Sequence, residues 1–116
     1  MTPELFLQVT DPLPEPTLLV SGDGKVLAAN RATAERLGKS PVALRGRLLS
    51  NAMTEPPDEV AKYLRACSRS RQLVLGALTV SGGVACRAEG AILRSAVTDG
   101  ETLVLVRLVP KESATG

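Results

Sequence analysis

Alternating apolar runs and turn residues along the chain predict five short strands. Glycine-containing turns at 21–24, 82–83 and 99–100 connect neighbouring strands. Because strands joined by such tight turns pair antiparallel, the pattern predicts a five-stranded antiparallel sheet. The predicted strands cover residues 17–20, 25–29, 72–80, 84–94 and 102–109.

Helical segments precede and interrupt these strands. Thr2 can cap an N-terminal helix, and the prolines between residues 11 and 16 end it. Asn30 can cap a second helix that stops at Gly38, and Asp58 can start the longest one. The helices are predicted over residues 2–9, 30–37, 41–44 and 58–70, with a less regular stretch at 48–53.

This order of elements indicates an α+β domain, with short helices on one face of the sheet and a flanking helix at the N-terminus. The length of 116 residues suits a single domain. We expect the flanking helix and its linker at 1–14, the domain at 15–110 and a polar tail at 111–116.

Aromatic side chains are scarce in this apolar sequence. Apolar residue types make up 44% of the chain, yet Phe6 and Tyr63 are its only aromatic residues. Flat cofactors and nucleic-acid bases are usually held by aromatic stacking, so the composition disfavours both. The formal charge is only +2, and the basic residues are scattered along the chain. The sequence therefore predicts no nucleic-acid partner.

Cellular location follows from apolar runs and cysteine usage. No run approaches the roughly 18 apolar residues of a membrane helix, and the N-terminus does not resemble a signal peptide. Cys67 and Cys86 have neither metal-binding nor disulfide-framework spacing, and we interpret them as buried free thiols of a reducing compartment. A redox pair formed by the two is an alternative hypothesis. We expect a cytoplasmic protein that does not contact a membrane.

The motifs that support catalysis are missing. The chain contains no histidine, which excludes Ser-His-Asp and Cys-His mechanisms. It has no phosphate-binding GxxxxGK[ST] loop, and no third glycine follows Gly22 and Gly24 to complete a dinucleotide-binding motif. Asp58 and Glu59 are adjacent, so they point to different sides of a helix. We therefore expect a binding or signalling module, with a small enzyme as the weakest alternative.

The stretch from 24 to 46 carries a resemblance to a known family. A turn glycine precedes an apolar strand, an asparagine opens the next helix, and a Leu-Gly pair ends it. A Leu-x-Gly and a further apolar residue follow. This order resembles the PAS-domain family over about residues 15–110. The matching residues are Gly24, Val26, Asn30, Ala34, Leu37, Gly38, Leu44, Gly46 and Leu48.

The resemblance implies a sensory module that relays a signal to an effector domain, such as a histidine kinase or a diguanylate cyclase. Flavin-photosensing members carry a reactive cysteine directly after the asparagine, whereas Arg31 follows Asn30 here. Haem-binding members use a histidine on the long helix, and this chain has none. We therefore expect no flavin or haem, while a small apolar or weakly polar organic ligand stays open. A ligand-free interaction adaptor is the alternative.

Such a ligand would lie between the sheet and the helices, where the alternative is that the same side chains fill a solid core. The candidate pocket residues are Val20, Ala28, Leu37, Leu44, Leu48, Met53, Val60, Leu64 and Cys67.

The last strand is apolar at both odd and even positions, so both of its faces need cover. The helices cover one face, and the first helix, from the same or a second chain, can cover the other. We therefore expect a homodimer packed through the first helix and the outer face of the sheet. The candidate interface residues are Leu5, Phe6, Val9, Val104 and Val106.

Overall fold

Five antiparallel strands form one sheet in the computed structural model, which describes residues 2–93 and 102–110. The strands are β1 (Thr17–Ser21), β2 (Val26–Ala29), β3 (Val74–Val80), β4 (Val84–Leu93) and β5 (Leu103–Pro110). Their order in the sheet is β2-β1-β5-β4-β3, so β5 lies at the centre and pairs with β1 and β4. This confirms the predicted sheet. The predicted turn at 99–100, the predicted strand residue 94 and the predicted tail at 111–116 lie outside the described residues.

Three of the four α-helices in the described residues begin at a side-chain cap, whereas the longest begins after Pro56 without one and has Asp58 in its first turn. The Thr2 hydroxyl accepts a hydrogen bond from the Leu5 amide at 3.2 Å, and Ser40 accepts one from the Ala43 amide at 3.2 Å. A short 3-10 helix, Leu49–Ala52, occupies the stretch that the sequence pattern left irregular. The α-helices are α1 (Pro3–Thr10), α2 (Arg31–Leu37), α3 (Pro41–Leu44) and α4 (Pro57–Arg69).

The main core lies between one face of the sheet, here called the inner face, and the segments α3, the 3-10 helix and α4. Val60, Leu64 and Cys67 of α4 are buried there at helical spacing, as the period of 3.6 predicts. Leu37 packs against the margin of this core. The strands supply Leu18, Val20, Val26, Leu78, Val80, Cys86, Ala88, Val104, Val106 and Leu108.

A tyrosine and two glycines fix α4 against β3 and β4. A Cβ at Gly76 would lie 2.6 Å from the Tyr63 ring, and a Cβ at Gly90 would lie 2.5 Å from the Cys67 sulfur. Neither glycine has a left-handed backbone, so close approach, and not conformation, requires them. The Tyr63 hydroxyl donates to the Val74 carbonyl at 2.8 Å. Helix and sheet therefore meet here without room for a methyl group.

The opposite, outer face of the sheet carries a much smaller cluster under α1. Phe6 is fully buried there against Leu19, Ala28 and Leu103. The α1 helix contacts only β1 and β2 substantially. Toward β3 the face is open, and Leu75 is 61% exposed.

A β-bulge corrects the expected position of Ala28. Leu19 pairs with Ala28, but Val20 pairs with Val26, so Leu27 is an extra residue in β2. The bulge reverses the in-out alternation within the strand. Ala28 consequently belongs to the cluster under α1 and not to the inner face, where the pocket was predicted.

The alternation of side chains along β5 corrects the expected position of Val104 and Val106. Both are fully buried in the core with the helices, so neither can form an outer-face dimer contact. In β5 the odd-numbered residues point outward, beginning with Leu103 and Leu105. The prediction that β5 is apolar on both faces is confirmed, but the sequence pattern did not show which set faces the helices.

Candidate functional site

A cavity of about 250 Å³ opens between α3, the 3-10 helix and the first two strands. We call it the α3 cavity. Its floor is apolar, whereas Lys39, Arg47 and Asn51 supply polar groups. The lining residues are Leu18, Val26, Lys39, Ala43, Leu44, Arg47, Leu48, Asn51 and Ala52.

The segment 45–48 is placed at this cavity by pairing with the edge of β2. Gly46 has a φ of +84°, which turns the chain directly after α3. Its amide donates to the Val26 carbonyl at 2.7 Å, and the Val26 amide donates to the Arg47 carbonyl at 2.8 Å. Backbone hydrogen bonds thus hold Arg47 and Leu48 beside β2, so the cavity wall on this side is well fixed.

The predicted pocket residues divide among several places. Leu44 and Leu48 line the α3 cavity. Val60, Leu64 and again Leu48 line a neighbouring cavity of about 190 Å³, together with Asp23 and Ser50. Val20, Met53 and Cys67 belong to the solid core and line neither cavity.

Sequence reasoning missed the polar part of the α3 cavity. The predicted pocket residues are apolar apart from the Cys67 thiol, whereas Lys39, Arg47 and Asn51 also line the cavity. The Leu-x-Gly segment that ends at Gly46 was a usable signal, because a residue that follows a helix-ending glycine is brought back toward the sheet.

Asn30 joins α1 to the rest of the domain. It is fully buried, and its Nδ2 donates to the carbonyls of Thr10 at 2.8 Å and Glu15 at 3.1 Å. Its Oδ1 accepts from the amides of Thr17 at 2.9 Å and Thr33 at 3.1 Å. One side chain therefore connects the end of α1, the linker, β1 and α2. The predicted cap is confirmed, and the connection to α1 is additional.

A second contact supports this junction. The Asp11 carboxylate accepts a hydrogen bond from the Arg31 amide at 2.9 Å. The end of α1 is therefore attached to the start of α2 from both sides of the junction.

A buried carboxylate occupies the outer face beside β5. Glu89 pairs directly across the sheet with Arg107, whose Nε lies 2.9 Å from its Oε1. Arg87 lies 3.0 Å from its other oxygen. The hydrogen bond from Arg107, aided by Arg87, holds the pKa of Glu89 below its ordinary value. This cluster has the geometry of a structural ion pair.

The two cysteines are both buried free thiols, as expected. Burial raises the pKa of Cys67 and also that of Cys86. Since the thiolate is the reactive form, both are poor nucleophiles and poor metal ligands. The redox hypothesis therefore gains no support from their surroundings.

Within residues 2–93 and 102–110, no group of three or more acidic, cysteine or histidine side chains is arranged to hold a metal ion. None of the helices in this part of the chain has the length and apolar character needed to cross a bilayer.

The helix-opening Asn30 and the left-handed glycines Gly38 and Gly46 lie where the family pattern places them. A family model described as the PAS fold matches residues 10–110. The chain belongs to the PAS family. The resemblance that the 24–46 stretch suggested is thereby confirmed. No curated protein matches the sequence significantly.

Solved PAS domains share this fold at low sequence identity. The PAS domain of BvgS from Bordetella pertussis has a TM-score of 0.73 and 16% identity, covering 97% of this chain and 86% of that chain. The PAS domain of nitrogen regulation protein NR(II) from Vibrio parahaemolyticus has a TM-score of 0.72 and 14% identity, covering 91% and 97%. That of an HTR-like protein from Haloarcula marismortui has a TM-score of 0.71 and 15% identity, covering 92% and 89%.

Membership of the PAS family gives the general role of the chain. PAS domains are sensory modules of histidine kinases and related regulators, and they are generally not catalytic. At 14–16% identity the likeness shows the fold alone. Ligand, assembly and effector must be argued from the residues of this chain.

Proposed function

We propose that this PAS domain is a cytoplasmic sensory module that pairs with a second copy through α1 and the outer face of the sheet. It takes up a small organic ligand in the α3 cavity and relays that event to an effector domain, such as a histidine kinase.

Two uncovered apolar surfaces on the same side of the sheet carry this proposal. Leu5 and Val9 lie one helical turn apart on α1 and are 48% and 58% exposed. The open part of the outer face presents Leu75 and the partly buried Leu105. Exposed apolar side chains of this kind are typical of a protein interface. A second copy offers the same two surfaces, so one twofold contact covers both sets.

The relay is supported by the bonds that connect the two faces of the sheet. Asn30 attaches α1 to α2, which lies beside the inner face. In β5, Val104 packs in the inner core while the adjacent Leu103 packs near Phe6 of α1. A shift on the cavity side can therefore reach both α1 and the end of β5.

The α3 cavity favours the ligand-binding form of the proposal over a ligand-free adaptor. A solid core would place large side chains in this volume, whereas Ala43 and Ala52 leave it open. Drug-sized ligands occupy about 300–1,000 Å³. A cavity of about 250 Å³ suits a smaller molecule.

Light scattering coupled to size exclusion tests the assembly. We expect the whole chain to elute with the mass of a dimer, and Leu5→Asp and Val9→Asp to elute as folded monomers, because each places a charge in the apolar contact. Circular dichroism checks that both variants keep the fold.

The matched control is Ala66→Asp, an exposed position on α4 at the other side of the sheet. It should remain a dimer. A monomeric wild-type chain at all concentrations, or dimers of both α1 variants, contradicts the proposed pairing.

A further inference from the structure

All charged residues that line the α3 cavity carry the same sign. Lys39 and Arg47 are the only charged residues in its lining, and both are basic. Neither forms an ion pair in the part of the chain that the structure describes, where both salt bridges involve Glu89. Two cations therefore border an apolar cavity without a carboxylate to balance them.

The neighbouring cavities carry different charges. One of them shares Leu48 with the α3 cavity, but its charged residue is Asp23. The hydrogen bond from Ser21 lowers the pKa of Asp23, so it is an anion at neutral pH. The groove beside α1 is mixed, since Asp11, Arg31 and Glu35 all line it. Another groove has a single cation, Arg45. Of these four cavities, the α3 cavity is the one that two cations line without a carboxylate.

The rest of the lining defines the other end of a ligand. Leu18, Val26 and Leu44 form an aliphatic floor, and no aromatic side chain contributes to it. Phe6 lies on the other face of the sheet, on the buried side of α1, and Tyr63 is held against Gly76 and Gly90. Stacking on a flat ring system is therefore absent from this lining, which suits a branched or linear aliphatic chain.

We propose that the ligand of the α3 cavity is a small aliphatic carboxylate, whose tail lies on the leucine and valine floor and whose carboxylate is bound by Lys39 and Arg47. The guanidinium of Arg47 can bind both carboxylate oxygens, and Lys39 adds a second positive charge. Asn51 can donate a further hydrogen bond from its amide. This inference rests on the proposed ligand uptake by the α3 cavity and adds the chemical class.

Isothermal titration calorimetry with two probes of equal shape tests the chemical class of the ligand. The probes are 4-methylpentanoate and its neutral amide, 4-methylpentanamide, both titrated into the purified whole chain. We expect the carboxylate to bind at least about tenfold more tightly than the amide, because only the carboxylate pairs with the two cations. Carboxylate binding should weaken with added salt, since both cations are exposed to solvent.

Charge-removing variants locate the contact. Lys39→Gln and Arg47→Gln should each weaken carboxylate binding about tenfold and leave the weak amide binding unchanged. The control is Arg45→Gln, an exposed arginine two residues from Arg47 that does not line the α3 cavity. It should bind both probes as the wild type does. Retained amide binding shows that the variants keep the cavity intact.

The experiment distinguishes failure of the carboxylate inference from failure of ligand uptake. Equal binding of acid and amide, or carboxylate binding that survives both glutamine variants, overturns the anion inference and leaves ligand uptake standing. If neither probe binds or raises the unfolding temperature, both ligand uptake by the α3 cavity and the carboxylate inference are contradicted. The proposed pairing through α1 is judged separately by light scattering.

Discussion

The two faces of the sheet differ in what covers them, although the strands offer apolar side chains to both. The inner face is covered by α3, the 3-10 helix and α4, and forms a continuous core. The outer face is covered by one helix of eight residues at one end only. Strand pattern therefore sets which residues point each way, while the covering elements decide which of them are buried.

The largest expected difference between the faces comes from truncating one leucine on each. Leu64→Ala truncates a buried inner side chain and should lower the free energy of unfolding by about 2–5 kcal/mol. Leu75→Ala, introduced into the monomeric Leu5→Asp background where the outer face is open to solvent, should change it by no more than about 0.5 kcal/mol. Urea unfolding of both substitutions in that background measures the contrast. Similar losses from the two substitutions would show that Leu75 is packed within the protomer itself.

A smaller effect is expected from adding a single methyl group on the inner face. Gly90→Ala brings a Cβ within 2.5 Å of the Cys67 sulfur and 2.7 Å of the Tyr63 hydroxyl. The resulting overpacking should cost about 1–3 kcal/mol of unfolding free energy. The control is Ala85→Val on the same strand, which is exposed and should change stability by less than about 0.5 kcal/mol.

A double-mutant cycle identifies the contact responsible. Gly90→Ala combined with Cys67→Ala should cost less than the sum of the two single variants, because the shortened side chain makes room for the methyl group. Strict additivity in the cycle would show that the Cys67 sulfur is not what excludes a side chain at Gly90.

The smallest effect concerns the ion pair on the outer face. Because Arg107 and Arg87 lower the pKa of Glu89 from its ordinary 4.5, this carboxylate stabilises the fold above that pH. The contribution is lost as pH falls through the lowered folded pKa. Glu89→Gln should cost about 1 kcal/mol at neutral pH, a modest value because both arginines are half exposed.

Urea unfolding at several pH values checks this sign. The stability difference between wild type and Glu89→Gln should shrink as the solution is acidified below the ordinary pKa of 4.5. Glu35→Gln, an exposed position on α2, is the control and should follow the wild type. A difference that stays constant on acidification contradicts a role for the ionised Glu89.

Local chemistry made most of the fold predictable. Caps at Thr2 and Asn30 and the glycine turns act on neighbouring residues, so their effects can be inferred from short segments. The position of Ala28 could not be inferred, because a bulge depends on the partner strand. For Val104 and Val106 the alternation was clear, but a strand that is apolar on both faces does not indicate which face the helices cover.

The candidate site was harder to predict than the fold. Leu44 and Leu48 were identified from their apolar character, whereas the charged Lys39 and Arg47 carry no such signal. The position of Arg47 depends on hydrogen bonds between residues 46–47 and β2, for which the Leu-x-Gly segment is the one local indication. The attachment of Asn30 to the Thr10 carbonyl is likewise a contact over 20 positions.

The central position of β5 has a consequence for how the chain acquires its structure. The β1–β2 and β3–β4 hairpins close over short loops and can form early. They are not neighbours, and β5 must insert between them before the sheet is continuous. During synthesis on the ribosome, both hairpins emerge before β5. The backbone edges of β1 and β4 that pair with β5 therefore stay open until β5 is synthesised. We therefore expect the insertion of β5, which joins the two hairpins into one sheet, to be the late and slow step of folding.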